Sequence, residues 1–308
     1  MLVDAASMYF RAFHGVPTSV TNDAGQPVNA IRGYLDMTAQ LVRTRKPTDY
    51  VACLDLDWRP QFRIDLVPSY KAHRATIEAG EMVETVPDEL SPQVPVLLAV
   101  LKAIGLGVAG AEGFEADDVI ATLAARADAD GTATEIVSGD RDLMALATQH
   151  VRVLYTGKGV SKLEDLGPAE IEAKYGVRPG RYPDLAVLRG DPSDGLPGVK
   201  GIGEKTAASL VQRFGSAEDI LAAAEARADG FPPKAAAAVR DAADYVRAAV
   251  GVVRGRTDAG VEPYGTPTLV TAVPREPADA ETLVTLSEQY ALDSAVNRLL
   301  GAIAELPA

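Results

Sequence analysis

The sequence is poor in the residues that build disulfides and zinc sites. Cysteine occurs once in 308 residues, as Cys53, and the three histidines, His14, His73 and His150, are far apart. A single cysteine cannot form a disulfide within the chain, which favours a reducing compartment. The same residues show none of the ligand spacings of a zinc site.

Long apolar runs are also missing. The longest one, residues 94–111, is interrupted by Pro95 and Lys102, and the N-terminus carries Asp4 and Arg11 where a signal peptide has an apolar core. Hydrophobic residues make up 47% of the chain, enough for one large globular domain or two modest ones. We therefore expect a cytoplasmic protein that does not span a membrane.

An excess of positive charge is absent as well. The chain has 30 basic and 43 acidic residues and a net charge of -13. Phosphate-binding surfaces are usually basic, so this total argues against a nucleic-acid partner. Acids gathered around bound cations reverse the local field, however, and the total charge therefore leaves the partner open.

Short apolar runs that end in an acid recur in the first half of the chain. They lead to Asp4, Asp55 and Asp140, and helical patterns lie between them at residues 30–45, 94–104 and 117–127. This alternation predicts an α/β fold with a mostly parallel central sheet flanked by helices. Sites in such sheets form beyond the carboxyl ends of the strands, where these three aspartates fall.

The remaining segments divide the chain. Residues 70–95 are polar and contain three prolines, which indicates a loop or a loosely helical excursion from the sheet. Helical patterns dominate after Pro183. We therefore predict an α/β core over residues 1–180 and a helical region over residues 181–308.

Further acids form three clusters, which are Glu115, Asp117 and Asp118, then Asp140 and Asp142, then Asp191 and Asp194. Hard divalent cations prefer carboxylate oxygens, and a pair of such ions stabilises both the attacking and the leaving oxygen of a phosphodiester. Each cluster taken alone is more typical of a solvated turn or a helix cap, and the metal interpretation depends on the clusters and the strand-end acids occurring together. An EF-hand is excluded because its loop pattern does not occur.

Glycines punctuate residues 198–206. A P-loop is excluded because Glu204 separates Gly203 from Lys205, and the turn-like residues before the segment do not suit a dinucleotide fingerprint. A helix-hairpin-helix explains the pattern better, since glycines let a phosphate approach the backbone at a helix start. A plain turn between two helices is the alternative.

Taken in order, these motifs resemble the bacterial 5′-3′ exonuclease and flap endonuclease family, which includes the N-terminal nuclease domain of type I DNA polymerases. The resemblance covers residues 1 to about 225 and rests on Asp4, Phe62-Arg63, residues 70–74, 115–118, 139–142, 190–194 and 197–207.

The resemblance implies a PIN-like 5′-nuclease fold, with a helical arch at about residues 70–95 and a helix-hairpin-helix that binds duplex DNA. It implies two or more Mg²⁺ or Mn²⁺ ions. One would be held by Asp4, Asp55, Glu115 and Asp117, and a second by Asp118, Asp140, Asp142, Asp191 and Asp194. It gives catalytic roles at the base of the arch to Tyr70, Lys71 and Arg74. It gives DNA contacts, and a site for K⁺, to Lys200, Gly201, Gly203, Lys205 and Thr206.

From the resemblance we expect a free-standing monomer that cuts DNA with 5′ flaps or 5′ ends, including RNA-primed strands, alongside a DNA polymerase. A non-catalytic DNA-junction-binding protein of the same fold and a ribonuclease with a related acidic site remain alternatives. Asp57 is an acidic alternative to Asp55, since both lie on one side of an extended strand. Gly195 stands where the family usually has asparagine.

Overall fold

The computed structural model describes residues 1–78 and 81–307. The strands are β1 (Leu2–Asp4), β2 (Val51–Cys53), β3 (Ala75–Glu78), β4 (Glu81–Glu84), β5 (Gly107–Gly110), β6 (Thr134–Ser138), β7 (Val151–Tyr155), β8 (Glu164–Leu166) and β9 (Glu262–Pro263). The helices are α1 (Ala5–Gly15), α2 (Asn29–Arg45), α3 (Gln61–Leu66), α4 (Gln93–Ile104), α5 (Ala116–Ala129), α6 (Pro168–Tyr175), α7 (Tyr182–Arg189), α8 (Glu204–Phe214), α9 (Ala217–Glu225), α10 (Pro233–Asp241), α11 (Ala243–Val253), α12 (Ala280–Tyr290) and α13 (Asp293–Ala304).

A seven-stranded sheet forms the centre of the fold, in the order β8-β7-β6-β1-β2-β5-β9. The five inner strands are parallel, and the edge strands β8 and β9 pair antiparallel. Strand β1 lies between β2 and β6, with Val3 opposite Ala52 on one side and Val137 on the other. The predicted α/β fold with a mostly parallel sheet is confirmed.

Helices cover both faces of the sheet because its inner strands are apolar on both sides. Val3 points toward α2, whereas the neighbouring Leu2 joins the core that α5 forms on the opposite face. This alternation follows from the period of two along a strand. Parallel strands present their carboxyl ends at one edge, so β1, β2, β5 and β6 all end on the side where the acids lie.

Helices α6 to α11 build a second apolar core, which includes Tyr182, Leu188 and Val246. Within it, α7 and α8 flank the glycine-rich turn that the sequence predicts to be a hairpin between helices. Val199 and Ile202 are buried and anchor that turn. The helix-hairpin-helix prediction is confirmed as a structural element.

The C-terminal segment departs from the predicted division at residue 180. Strand β9 pairs with β5, while α12 packs on α4 and α13 packs on α2. Leu283, Leu299 and Ile303 belong to the same core as Val3. The prediction of one helical region over residues 181–308 is therefore wrong for its last part, because these amphipathic helices bury their apolar sides on the α/β core.

The helical arch predicted at residues 70–95 is also corrected. The described part of this segment contains one 3-10 turn, Ala72–Arg74, and then the antiparallel strands β3 and β4, so a β-hairpin stands in the arch position. The β-branched residues Thr76, Ile77 and Val83 favour extended backbone. Regular α-helix begins only at Gln93, directly after Pro92.

In the described ranges, no helix has both the length and the apolar character that crossing a membrane requires.

Candidate active site

Five carboxylates line one cavity of about 290 Å³ at the carboxyl edge of the sheet, and one of them is Glu84 at the end of β4. Asp4 ends β1, Asp55 follows β2, Asp140 follows β6, and Asp117 lies in the first turn of α5. We call this space the acid cavity. The strand-end pattern in the sequence predicted that these residues converge, and the fold brings them together.

Hydrogen bonds fix the orientation of Asp4. Its Oδ1 accepts from the backbone N–H of Ser7 at 3.0 Å, which caps α1, and its Oδ2 accepts from the Ser138 hydroxyl at 2.6 Å. The same hydroxyl oxygen accepts from the N–H of Asp140 at 2.9 Å. Ser138 therefore couples the orientation of two acids, a role that no sequence pattern indicated.

The acids repel one another when no cation is present. Burial, and then the charge of Asp55, raise the pKa of Asp4 from 3.8 to about 7. Burial and the nearby Asp140 raise the pKa of Asp117 well above its usual value. A bound cation would favour the charged form of both groups and relieve this repulsion.

A second acidic space lies next to the first. Asp117, Asp142 and Asp194 line a small cavity of about 30 Å³ together with Arg63 and Tyr70. Burial, followed by Asp140, raises the pKa of Asp142 well above its usual value. Oδ1 of Asp142 is buried without a hydrogen-bond partner, which is a costly state for a carboxylate oxygen. Asp117 faces both spaces.

Asp191 orders the turn that carries Asp194. Its Oδ1 accepts from the backbone N–H of Ser193 at 2.9 Å, and Arg189 and Arg141 lie 3.5 Å and 3.6 Å from its Oδ2. The residue is buried. Asp191 is thus held by its own turn and by two arginines.

Basic and phenolic groups surround Glu115. Its Oε2 accepts from Arg63 at 2.6 Å and from the Tyr70 hydroxyl at 2.7 Å, while the ammonium of Lys71 forms an ion pair with Oε1. Burial raises the pKa of Glu115 to about 7, against the opposing effects of Lys71 and Arg63. All these groups are at least partly buried, so the network is rigid and shielded from water.

The structure corrects the metal-ligand prediction for Asp118. This residue is fully buried, and its carboxylate accepts two hydrogen bonds from Arg63, at 2.7 Å and 2.8 Å. It also accepts from the backbone N–H of Arg256 at 2.8 Å. Its oxygens are committed to these partners in this structure, so its contact with the site is through Arg63, which also pairs with Glu115.

Tyr70, Lys71 and Arg74 are brought to the site by the turn at residues 193–195. The N–H of Lys71 donates to the carbonyl of Asp194 at 2.9 Å, and Arg74 donates to the carbonyl of Ser193 at 2.6 Å. Lys71 and Arg74 both line the acid cavity. Tyr70 is only 4% exposed, so its ring is not open to a base in this structure, and its hydroxyl orients Glu115.

Gly195 allows residues 69–74 to pack closely against the turn at residues 193–195. It has a φ of +70°, and a Cβ placed there would lie 2.2 Å from the carbonyl oxygen of Ser69. The Ser69 hydroxyl in turn donates to the carbonyl of Gly195 at 2.9 Å. The departure from the family's asparagine therefore lies at a contact that holds the segment bearing Lys71.

Asp55 and Asp57 take different positions. Asp55 lines the acid cavity, and its Oδ1 accepts from the N–H of Ala116 at 2.6 Å, at the start of α5. Asp57 is not among the residues that line that cavity, and its Oδ1 accepts from the N–H of Arg59 at 3.1 Å. The geometry favours Asp55 as the residue that faces the site.

Arg11 is a residue that the sequence reasoning missed. Its Nε is buried without a hydrogen-bond partner, and in the described part of the chain no ion pair involves its guanidinium. Arg11 follows Asp4 by seven residues, about two turns of α1, so both lie on one side of that helix. This spacing was the available signal.

The tip of the hairpin between α7 and α8 is open to solvent. The predicted DNA-contact residues Lys200, Gly201, Gly203, Lys205 and Thr206 are all exposed. Gly201 has a φ of +81° and open space where a Cβ would be, and Gly203 is the N-cap of α8. The first turn of α8 therefore presents unpaired N–H groups beside two lysines, as anion-binding helix starts do.

The donor set fits divalent cations. Oxygen ligands from several segments, raised carboxylate pKa values and the unpartnered Asp142 oxygen are what a hard cation would satisfy. As arranged in this structure, residues 1–78 and 81–307 contain no group of three such side chains already positioned around one ion. In this structure the carboxylate of Glu115 is paired with Lys71 and Arg63, so the binding of an ion to Glu115 would require side-chain movement.

Comparison with known proteins gives a consistent result. Residues 1–176 match the family model of the 5′-3′ exonuclease N-terminal resolvase-like domain, and residues 177–269 match that of the 5′-3′ exonuclease C-terminal SAM fold. A 5′-3′ exonuclease of Mycobacterium tuberculosis is 48% identical, over 100% of this chain and 98% of that protein. DNA polymerase I of Mycobacterium bovis is 42% identical over 72% of this chain and 24% of its own length.

Among solved structures, a T5 D15 flap endonuclease complex with DNA and metal ions has a TM-score of 0.60, with 16% identity, 99% of this chain and 98% of that chain covered. This likeness concerns the fold alone. The two family models and the full-length relative show more, and the expectation of an enzyme is confirmed. This chain belongs to the 5′-3′ exonuclease family and is a nuclease.

Proposed function

We propose that this nuclease is structure-specific, cutting DNA at 5′ flaps and 5′ ends during replication or repair by a mechanism that uses two divalent ions. The observation that carries the proposal is the acid cavity. Carboxylates from five separate segments line this cavity of about 290 Å³ together with Lys71 and Arg74. Such a mixture of acids and cations suits a phosphodiester held against bound metal ions.

The ions would be Mg²⁺ or Mn²⁺. Asp4, Asp55, Asp117 and Asp140 would hold ions in the acid cavity, with Glu115 joining once Lys71 leaves it, and Asp142, Asp191 and Asp194 would supply the adjacent space. When bound, the ions would polarise the phosphate and generate the attacking hydroxide. Arg63 and Asp118 keep Glu115 in place, since Arg63 is buried and bridges both acids.

The basic residues would position the phosphodiester. A phosphate that approaches carboxylates meets repulsion, and Lys71, Arg74 and Arg11 offset it with charge-assisted hydrogen bonds. The pKa of Lys71 is raised despite its burial, because Glu115 and Asp194 stabilise its charge, so it remains protonated at neutral pH. Tyr70 acts as a positioning residue through its hydrogen bond to Glu115.

The hairpin between α7 and α8 would hold the duplex away from the cut. Its contacts would be to the phosphate backbone and independent of base sequence, through the exposed Lys200 and Lys205 and the N–H groups near Gly201 and Gly203. A K⁺ ion at this turn would strengthen that contact. The T5 enzyme named above is described as a flap endonuclease in complex with DNA and metal ions.

The identity with the nuclease part of DNA polymerase I supports a place beside a polymerase, where 5′ strands, including RNA-primed ones, are displaced. We propose that the chain works as a monomer. A junction-binding protein without catalysis would have no need for so many acids in one cavity, and none of the predicted acids is missing.

The experiment is a cleavage assay on matched DNA substrates. A duplex with a labelled 5′ flap, a duplex with a recessed 5′ end and a single strand would be incubated with Mg²⁺, with Mn²⁺ or with a chelator, and the cut would be mapped. We expect metal-dependent cuts at the flap junction and at the 5′ end. Equal cutting of the single strand, or cutting in chelator, would contradict the proposal.

A further inference from the structure

An apolar cavity lies at the edge of the sheet opposite the acids. Its volume is about 460 Å³, and it is enclosed by the amino end of β5 and by residues 264–274, which follow β9. Protein interiors rarely leave voids of this size, whereas binding sites commonly have them. Gly107 lets the two walls approach each other, because a Cβ placed there would lie 2.6 Å from the carbonyl oxygen of Val270.

Residues 268–273 in the wall of this cavity have the character of a strand, and we call them the edge segment. Four of the six residues are β-branched, and exposed and half-buried positions alternate along the segment. One side of the segment pairs with the residues before β2. The N–H of Tyr50 donates to the carbonyl of Thr271 at 2.7 Å, and the N–H of Val273 donates to the carbonyl of Thr48 at 2.9 Å.

The alternate residues of the edge segment leave their backbone groups unpaired. The N–H groups of Val270 and Ala272 donate to no acceptor within residues 1–78 and 81–307, and the carbonyl of Ala272 accepts no hydrogen bond there. Both residues line the cavity. An unpaired strand edge is a template for an extended peptide, whose main chain supplies hydrogen bonds while pockets beside the edge select its side chains.

The side chains of the cavity show what such a peptide would carry. Tyr264 and Val270 are large hydrophobic residues that remain 43% and 58% exposed. Lys102 is the only charged side chain in the described lining, and in the part of the chain that the structure describes it forms no ion pair. The lining therefore complements an apolar side chain that has an acidic residue near it.

We propose that the edge segment and its cavity bind an extended peptide segment of a partner protein. The peptide adds to the edge segment as a β-strand, places an apolar side chain in the cavity and pairs an acidic residue with Lys102. A second copy of this chain fits less well, because a net charge of -13 makes two copies repel each other. The site lies at the edge of the sheet opposite the acid cavity, so a bound partner would leave that cavity open.

The test selects binders from a random octapeptide library on the immobilised full chain and measures the affinity of the enriched peptides by fluorescence anisotropy. Thr268→Trp fills the cavity from an exposed position, Ala272→Pro removes an unpaired N–H, and Lys102→Glu reverses the charge of the lining. Thr285→Trp is the matched control, at an exposed position of α12 outside the cavity. Circular dichroism and Tm verify that each variant is folded.

We expect the enriched peptides to combine an apolar residue with a nearby aspartate or glutamate. They should bind Thr268→Trp and Ala272→Pro about tenfold or more weakly than the wild type, because a filled pocket or a lost main-chain donor removes a central contact. Lys102→Glu should also weaken them, and Thr285→Trp should bind like the wild type.

Equal affinities in Thr268→Trp and Thr285→Trp, or no peptide enriched on the wild type over Thr268→Trp, would overturn the inference. A dimer of the wild type in sedimentation experiments that Ala272→Pro abolishes would also overturn it, because the occupant would then be a second copy of the chain. None of these readouts depends on metal ions or on DNA cleavage, so the inference can fail while the proposed function holds.

Discussion

The ammonium of Lys71 is paired with Oε1 of Glu115, a residue that also belongs to the acidic site. The lysine thus occupies a carboxylate that a divalent ion would use. A metal ion bound at Glu115 would compete with the lysine for this one oxygen, and an ion that takes it would free Lys71 for the phosphate. Arg63 and Tyr70 keep the other oxygen in place during such an exchange.

Lys71→Ala should therefore separate metal binding from catalysis. We expect severalfold tighter Mn²⁺ binding, since a competing cation is removed, and single-turnover cleavage slower by about a hundredfold or more, since a phosphate partner is lost. Mn²⁺ affinity is measured by electron paramagnetic resonance and cleavage by rapid quench on a flap duplex. Lys174→Ala, which removes an exposed ion pair with Glu164, is the control and should change neither. Weaker metal binding in Lys71→Ala would refute the competition.

Gly195→Ala should disturb the same lysine from a distance. The new Cβ would collide with the carbonyl of Ser69 at a positive φ, so we expect a loss of about 1 to 3 kcal/mol of stability. Cleavage should fall further than stability explains, because the segment from Ser69 to Arg74 is displaced. Gly131→Ala has the same φ of +70° and open space around it, and isolates the cost of the backbone conformation. Equal cleavage by the two variants would show that the contact is unimportant.

The contribution of Asp4 to the stability of the metal-free protein should fall as pH rises from about 4 to about 7. Asp4 has a pKa of about 7 in the folded state and 3.8 as its reference value, so the folded state holds the extra proton between these values. Its contribution is therefore favourable at low pH and is lost as pH rises toward 7. Because other groups titrate too, the readout is the difference in Tm between wild type and Asp4→Asn.

With chelator present, the stability of Asp4→Asn relative to the wild type should increase as pH rises from about 4 to about 7 and then stay constant, and Mg²⁺ should reduce or reverse that gain. A Tm difference that stays constant with pH would show that Asp4 does not titrate in this window.

The glycine-rich turn between α7 and α8 should bind DNA through its phosphates, with release of counterions from the DNA. Lys205→Ala should weaken duplex binding about equally on all sequences and lower the salt slope by about one unit. Lys102→Ala is the matched control, because Lys102 is exposed beside the start of β5, at the edge of the sheet opposite the acids. Binding is followed by fluorescence anisotropy over a range of salt concentrations. If both variants keep the wild-type slope, the turn is only a connection between helices.

Much of the fold could be predicted from the sequence. Apolar runs that end in Asp4, Asp55 and Asp140 were sufficient to predict parallel strands and a site at their carboxyl edge, because that geometry is local to each strand. The C-terminal helices could not be placed in this way. Their amphipathic pattern shows that one side is buried, but the surface on which α13 packs, α2, is distant in sequence.

The positions and contacts of individual residues in the site were harder to predict from the sequence. Asp117 and Asp118 are neighbours in one motif, yet a helix directs them about 100° apart, so one faces the cavities and the other pairs with Arg63. Tyr70 and Lys71 are likewise adjacent in sequence. Only their burial in the structure separates Tyr70, the proposed positioning residue, from Lys71, the proposed phosphate partner. The antiparallel strands β3 and β4 were not predicted, because polar segments flanked by proline have no apolar period from which strands can be read.

A direct count of bound Mn²⁺ tests whether these acids form a divalent-metal centre. Asp117→Asn is the informative variant because Asp117 faces both acidic spaces, and Asp57→Asn is its control because Asp57 does not line the acid cavity. We expect at least two ions per chain in the wild type and in Asp57→Asn, with one or more lost in Asp117→Asn. Wild-type stoichiometry and affinity in Asp117→Asn, or no bound Mn²⁺ in any of the three proteins, would contradict it.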